Sequence, residues 1–346
     1  LKTILRILFV VAGIMLFSMY SSYQDKNSEK IMNEEGTLQS IESEEQLVPE
    51  VIEEGVTKLI GEPKGKLLEQ FGEPIRKDLS SYGYTWWIYP ISNESYFQAG
   101  VKDDKIVTLF AIGKGINVKP YTLGQNLQDI YAITPLQSEI TVVNNNGNYK
   151  FELSEQDMNQ KALVKINDDT YAQLYLDRFT GTLMGIRYLD SEILILQHPY
   201  QVVYTGEKIN DIKPSSSEWE LIEEGNEKQI IDMTNIIRKV YEKPALSWNE
   251  EVAEVARGHS TDMFKESYFS HESPTYGTLG DRLDKAAILY LSAGENIAAQ
   301  YTDGADSVMG WLNSPGHREA LLDEEFTHLG VGVHQKYYTQ NFVKFR

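Results

Sequence analysis

The side chains best suited to chemistry are His317, His259, His271 and Glu295, scattered over the last hundred residues of the chain. His317 lies in Trp311-Leu-Asn-Ser-Pro-Gly-His-Arg-Glu-Ala-Leu-Leu322. Ser314 suits an N-cap, and Pro315 suits the first helical position, where a missing N–H has no intrahelical partner to lose. A short helix therefore starts at Pro315, and His317 falls in its first turn. There the positive end of the helix dipole disfavours protonation, so a neutral imidazole is expected. A neutral ring can accept a hydrogen bond or ligate a metal. The bland alternative is a capped helix carrying an ordinary surface His.

His259 belongs to a helix following Trp248-Asn249, whose apolar face reads Val252, Ala256, His259 and Met263, at spacings of four, three and four. Its ring should point inward, as a satisfied core residue or a functional one. His271 ends Tyr268-Phe-Ser-His and precedes a turn-rich stretch to Gly280. Glu295 stands in Ala293-Gly-Glu-Asn-Ile-Ala298, an apolar setting in which a carboxylate needs a partner. Ser260 beside His259 and Ser314 near His317 leave a Ser/His nucleophile pair open, although nothing marks either hydroxyl as activated.

The elements around these residues can be read from periodicity. Glu227–Tyr241 is helical, with Ile230, Met233, Ile237 and Val240 on one stripe. Leu329–His334 and Tyr337–Phe342 read as a hairpin. Upstream, 56–200 suggests an α+β domain of two similar units, each a short helix followed by hairpins. The helices are Lys66–Phe71 and Leu123–Tyr131. The strands are Tyr82–Tyr89, Tyr96–Val101 and Ile106–Ile112, then Glu139–Val143, Tyr149–Leu153, Tyr171–Leu176 and Leu183–Leu189. Trp86-Trp87 and the many Tyr residues there can line a peptide or glycan groove, but aromatics alternating along a strand more often build core. Residues 201–225, with Pro214-Ser-Ser-Ser217, read as a linker.

At 346 residues with a net charge of −19, the chain has room for two domains and is a poor partner for nucleic acid or an anionic membrane surface. Lys2 and Arg6 before the apolar run Ile7–Phe17 fit an export signal over 1–23, either cleaved or kept as an anchor, which is the only expected membrane contact. A Glu-rich tether occupies 24–55, with a short helix possible in Leu47–Glu54. The absence of cysteine removes disulfides, thiol nucleophiles and Cys-ligated zinc.

Six motifs in the last third carry a specific resemblance: Ala256-Arg-Gly-His-Ser-Thr-Asp-Met263, Phe269-Ser-His271, Gly294-Glu-Asn-Ile-Ala298, Trp311-Leu-Asn-Ser-Pro-Gly-His-Arg318, Gly330-Val-Gly332 and Tyr338-Thr-Gln-Asn-Phe342. In order and spacing they resemble the CAP superfamily, also called SCP-like, over about 226–346. The first half resembles the domain that precedes the CAP module in some exported bacterial proteins. The resemblance implies an α-β-α sandwich with a broad cleft lined by two His and two Glu, which in some members hold a divalent metal such as zinc. His259 matches the first His, Glu295 the first Glu and His317 the second His. The second Glu position is Ser314 here, which removes a ligand from any zinc site. His271 is a candidate substitute, and Asn296 and Ser314 complete the expected cleft lining.

Three functional readings follow. The first, preferred, is an exported envelope protein whose cleft binds a peptide, lipid or glycan, with or without a divalent metal at His259 and His317 near Glu295. The second is a zinc-assisted, peptidase-like hydrolase, against which stand the missing Glu and the lack of a His-Glu-x-x-His spacing. The third is a structural or sporulation-type envelope protein in which the aromatic first domain does the binding.

Overall fold

The computed structural model describes residues 55–346 apart from 93, 208, 210 and 211. The expected export segment, and the tether except Gly55, lie outside the described residues. Among the described residues no helix is long and apolar enough to cross a membrane.

The first lobe begins with a 3-10 turn (Val56–Leu59) and α1 (Gly65–Phe71), followed by β1 (Arg76–Leu79), β2 (Thr85–Ser92), β3 (Ser95–Lys102) and β4 (Lys105–Gly113). Next come α2 (Leu127–Ile133), β5 (Glu139–Asn144), β6 (Gly147–Glu152), α3 (Glu155–Gln160), β7 (Lys161–Lys165), β8 (Thr170–Asp177), β9 (Thr182–Asp190), α4 (Ser191–Gln197) and β10 (Gln201–Gly206). Seven strands form one antiparallel sheet in the order β1-β2-β3-β4-β9-β8-β7, and β10-β6-β5 form a second. The two expected units therefore do not stand side by side as separate hairpins. They merge where β4 pairs with β9, because both carry apolar side chains on both faces and neither could serve as an exposed edge.

Strand alternation sends Trp86 and Trp87 to opposite faces. Trp87 joins Leu67 of α1 and Ile130 of α2 in one core, and Trp86 faces the second lobe. Both are buried, so they build core and do not line a groove.

The second lobe comprises α5 (Ser216–Val240), β11 (Ser247–Trp248), α6 (Glu250–Lys265), α7 (Leu279–Lys285), β12 (Tyr290–Ala299), α8 (Gly304–Leu312), α9 (Pro315–Leu322), β13 (His328–His334) and β14 (Tyr337–Phe345). Its sheet runs β11-β13-β14-β12, with α6 and α7 on one face and α5, α8 and α9 on the other. This is the α-β-α sandwich.

Between the lobes the sequence reading needs correction. The stretch 201–225 is mostly regular structure: β10 pairs with β6, and α5 begins at Ser216. The helix starts there because Ser215 caps the Glu218 backbone N–H while Glu218 reaches back to the Ser215 N–H, a capping box written in Ser215-Ser-Ser-Glu218.

Gly330 and Gly332 explain how the site helix is held. A methyl at Gly332 would lie 1.9 Å from the Arg257 amide nitrogen, and one at Gly330 2.2 Å from that of Ala253. Only glycine lets α6 lie directly on β13, and the Ser260 hydroxyl locks the contact by donating to the Gly332 carbonyl at 2.8 Å. This contact fixes the rotation of α6, so His259 faces inward.

The lobes share one apolar core, in which Trp86, Phe110 and Tyr175 of the first join Ile230, Met233 and Trp311 of the second. Ion pairs cross the same junction: Arg187 to Asp303 at 2.7 Å, Lys161 to Asp306 at 3.0 Å and Arg318 to Asp177 at 3.0 Å. Arg187 is wholly buried, with the rings of Trp86, Phe110 and Tyr175 around its guanidinium.

Candidate functional site

The site forms at the β12 edge of the second lobe's sheet, where α6, α7 and the loop between them meet the start of α9. Glu295 comes from β12, and its side chain is 4% exposed. Its register partner is Asn341 of β14, so it points toward the α6 and α7 face, whereas Asn296 next to it points toward α9.

Both Glu295 oxygens are engaged. Oε1 accepts from His271 Nδ1 at 3.0 Å, and Oε2 from Arg282 Nη2. Arg282, on α7, also donates to the His271 carbonyl at 3.0 Å and the Gly277 carbonyl at 2.9 Å. It thereby ties the 266–278 loop to the carboxylate. The Arg282–Glu295 pair is buried, charge-balanced and charge-assisted, the kind of pair that orients its surroundings rigidly.

His259 approaches from α6 as the spacing predicts, buried with Val252, Ala256 and Met263. Nε2 lies 3.9 Å from Glu295 Oε1, but its proton goes to the Ser270 carbonyl at 3.0 Å. Nδ1 faces Tyr268, whose hydroxyl donates to Asp262. Burial holds this imidazole below its ordinary value, and Arg282 adds to the effect against the opposing pull of Glu295 and Asp262.

His317 stands in the first turn of α9, behind Pro315. Its ring centre is 6.3 Å from that of His271. Burial first, and the neighbouring His271 second, lower its proton affinity. The neutral ring expected from the helix dipole is thus favoured, with burial as the leading cause. Asn296 is fully buried; its amide donates to the His317 carbonyl at 3.0 Å and to Gln340 Oε1 at 3.2 Å, anchoring the turn that carries the imidazole.

The cluster is therefore a chain of contacts and not a ring of ligands. His259 and His271 each approach Glu295, and His317 joins through His271. Ser314 occupies the N-cap position but makes no side-chain capping bond, and it lines a different cavity, between the lobes. Ser260 is fully buried and spent on Gly332 and Thr339, so it cannot serve as a nucleophile.

Zinc does not fit these residues as they stand. Among the described residues no group of three or more His, Asp or Glu side chains is arranged to hold a metal ion. The donor chemistry gives the reason: the guanidinium of Arg282 already supplies the cation that Glu295 needs, and His259 Nε2 carries a proton committed to a carbonyl. Sequence reasoning missed Arg282. Its signal was readable, because it follows Leu279 by three and precedes Leu283 on the inward stripe of α7, where an unpaired charge is costly.

Comparison with known proteins agrees with this architecture. Residues 60–200 match the CAP-associated N-terminal model, and 231–344 match the model of the cysteine-rich secretory protein family. An uncharacterized membrane protein of Bacillus subtilis (strain 168), YlbC, is 42% identical over 348 residues, covering 99% of each chain. The crystal structure of an extracellular protein containing an SCP domain from Bacillus anthracis str. Ames is 45% identical, covers 88% of this chain and 100% of its own, and superposes with a TM-score of 0.80. A cysteine-rich secretory protein from Staphylococcus aureus subsp. aureus Mu50 is 26% identical, covers 84% and 93%, and gives a TM-score of 0.75. Shared motifs, sandwich and full-length likeness together place the chain in the cysteine-rich secretory protein (CAP) family, among the bacterial members that carry a CAP-associated domain ahead of the CAP domain.

Proposed function

We propose that this is an exported envelope protein whose CAP domain binds a ligand at the mouth formed by His271 and His317. The observation that carries the reading is the pairing of two imidazoles, 6.3 Å apart, over a buried Glu295–Arg282 pair that needs no further cation. His271 donates its Nδ1–H to Glu295, which leaves Nε2 as the ring nitrogen not engaged by the carboxylate, and its side chain is 56% exposed, while the neutral ring favoured at His317 offers an acceptor. Such a mouth recognises O–H or N–H donors, which peptides, glycans and lipid headgroups all offer. The extracellular setting described for the Bacillus anthracis relative supports export.

The test is a thermal-shift titration of the intact chain with a panel of peptides, soluble glycans and phospholipid vesicles, in parallel with the double variant His271→Ala/His317→Ala. One ligand class should raise the wild-type Tm and leave the variant unmoved. Equal shifts in both proteins for every class would refute the proposal. Turnover of a panel member, lost in the double variant, would replace it with the hydrolase reading.

A further inference from the structure

The junction between the lobes holds a cavity of about 670 Å³, to which none of His259, His271, Glu295 and His317 contributes. One wall is α3, which supplies Gln156, Asn159 and Gln160; the other is the second lobe, which supplies Tyr301 and Ser314. A smaller recess of about 90 Å³ continues it past Gln156, Gln160 and Tyr301.

What lines this cavity is unusual for the chain. In a protein with 51 acidic residues, the two facing walls present neutral groups that both donate and accept hydrogen bonds. The three carboxamides make no side-chain hydrogen bond to other described residues, and the Ser314 hydroxyl makes no capping bond. They are not needed to hold α3, which is fixed by the Ser154–Asp157 capping box and by Met158 against the core. Of the ionised groups, Glu155 and Arg178 oppose each other in sign, and Asp177 is occupied by Arg318 and Tyr241. Apolar contact is confined to Leu127, Leu176 and Pro315 beside the Tyr301 ring.

Tyr301 is a placed group. A methyl at Gly310 would sit 2.3 Å from its hydroxyl, so glycine is what lets the ring lie on α8. Burial, and then Asp306, push its phenol up to about 12, so the hydroxyl stays protonated well above neutral pH.

We propose that this junction cavity is a second binding site, and that it takes a neutral oligosaccharide. Gln156, Asn159 and Gln160, three and four residues apart on one face of the helix, match the adjacent hydroxyls of a sugar, each carboxamide offering both a donor and an acceptor. The volume is that of an ordinary ligand cleft, about 300–1,000 Å³. A charged ligand of either sign would meet a like charge at Glu155 or Arg178 and leave the carboxamides unused, and a lipid tail would strand these polar groups without partners. The site is independent of the histidine mouth, although Ser314 lies one helical turn from His317.

The experiment is isothermal titration, with saturation-transfer NMR, of the intact chain against cellotetraose and chitotetraose, with an uncharged Ala/Ser octapeptide as comparator. At least one oligosaccharide should bind with Kd of about 0.1–1 mM, a range set by a few solvent-competing hydrogen bonds. Gln156→Ala/Asn159→Ala should weaken it about tenfold or more, equivalent to about 1.4 kcal/mol. Both residues are exposed, so Tm should not change. His317→Ala should leave this affinity unchanged, which separates the site from the mouth proposed above. The assignment is overturned if neither oligosaccharide binds up to about 10 mM, if the double variant binds as tightly as wild type, or if the octapeptide displaces the sugar.

Discussion

Removing Arg282 tests the claim that a guanidinium stands where a metal would otherwise be required. Arg282→Met keeps most of the apolar stem and deletes three interactions: the bonds to the His271 and Gly277 carbonyls and the pair with Glu295. Because the Glu295 side chain is 4% exposed, its carboxylate is left buried with the His271 hydrogen bond and the more distant His259 ring. Breaking a buried pair from one side costs about 3–5 kcal/mol. Glu295→Gln is milder, since Arg282 keeps its two carbonyls, and should cost about 1–3 kcal/mol. If the two groups act as one unit, the double variant Arg282→Met/Glu295→Gln should fall short of the sum by about 2 kcal/mol or more. Urea unfolding at neutral pH, read by midpoint with unchanged m-values, supplies all four corners of the cycle. Additivity within about 0.5 kcal/mol would refute the reasoning, because it would mean that the pair is a surface-like contact in high dielectric.

Three further outcomes follow from the same structure. His259 and His317 are both held below their ordinary value, so the fold prefers their neutral forms; the associated stability is fully present above about pH 6.5 and is lost as pH falls through the depressed folded values. Glu295, Arg282 and Asp262 face the first ring and His271 the second, so unfolding free energies between about pH 8 and pH 5 should decline less steeply in His317→Asn, and identical slopes would count against burial as the cause. Gly332→Ala forces a methyl to 1.9 Å from the Arg257 backbone and should cost about 1–3 kcal/mol or more, whereas Gly316→Ala, which meets nothing within 4 Å, should be neutral or gain up to about 1 kcal/mol of helix propensity; equal melting temperatures would remove the close-approach argument. Arg187→Met strands Asp303 in the lobe junction and should cost about 3–5 kcal/mol, with tryptophan fluorescence and far-UV circular dichroism still reporting a single transition; two separated transitions would show that the lobes unfold independently.

How much of this could be read from the residues alone depends on the kind of signal each carries. His259 was legible because helical spacing places it among Val252, Ala256 and Met263, and periodicity survives into the fold. His271 was legible only as a nearby loop candidate, since no periodicity governs a turn-rich segment. Asn296 was expected in the cleft but turns to the opposite face from Glu295, as strand alternation requires of neighbours. Ser314 was read as a cap and a cleft residue; its position in the chain is as expected, but its hydroxyl makes no cap and faces the lobe junction, which no single-lobe pattern could reveal. Alternation found β2 to β6, β8 and β9 of the first lobe but not the short β1 and β7 or the exposed β10, and the merger of two units through β4 and β9 depends on contacts about eighty residues apart. The short polar helix α3, which packs only the partly buried Met158 against the core, has no apolar stripe to betray it.

The continuous apolar interior beneath both lobes has a consequence for inheritance. This CAP domain is not a cassette: cut away at Ser216 and grafted to another carrier, it would lose the part of its core built by Trp86, Phe110 and Tyr175 and leave the acid of Asp303 without its base. A change on one side of that interior needs an answering change on the other, so the two halves of this chain can drift only in step.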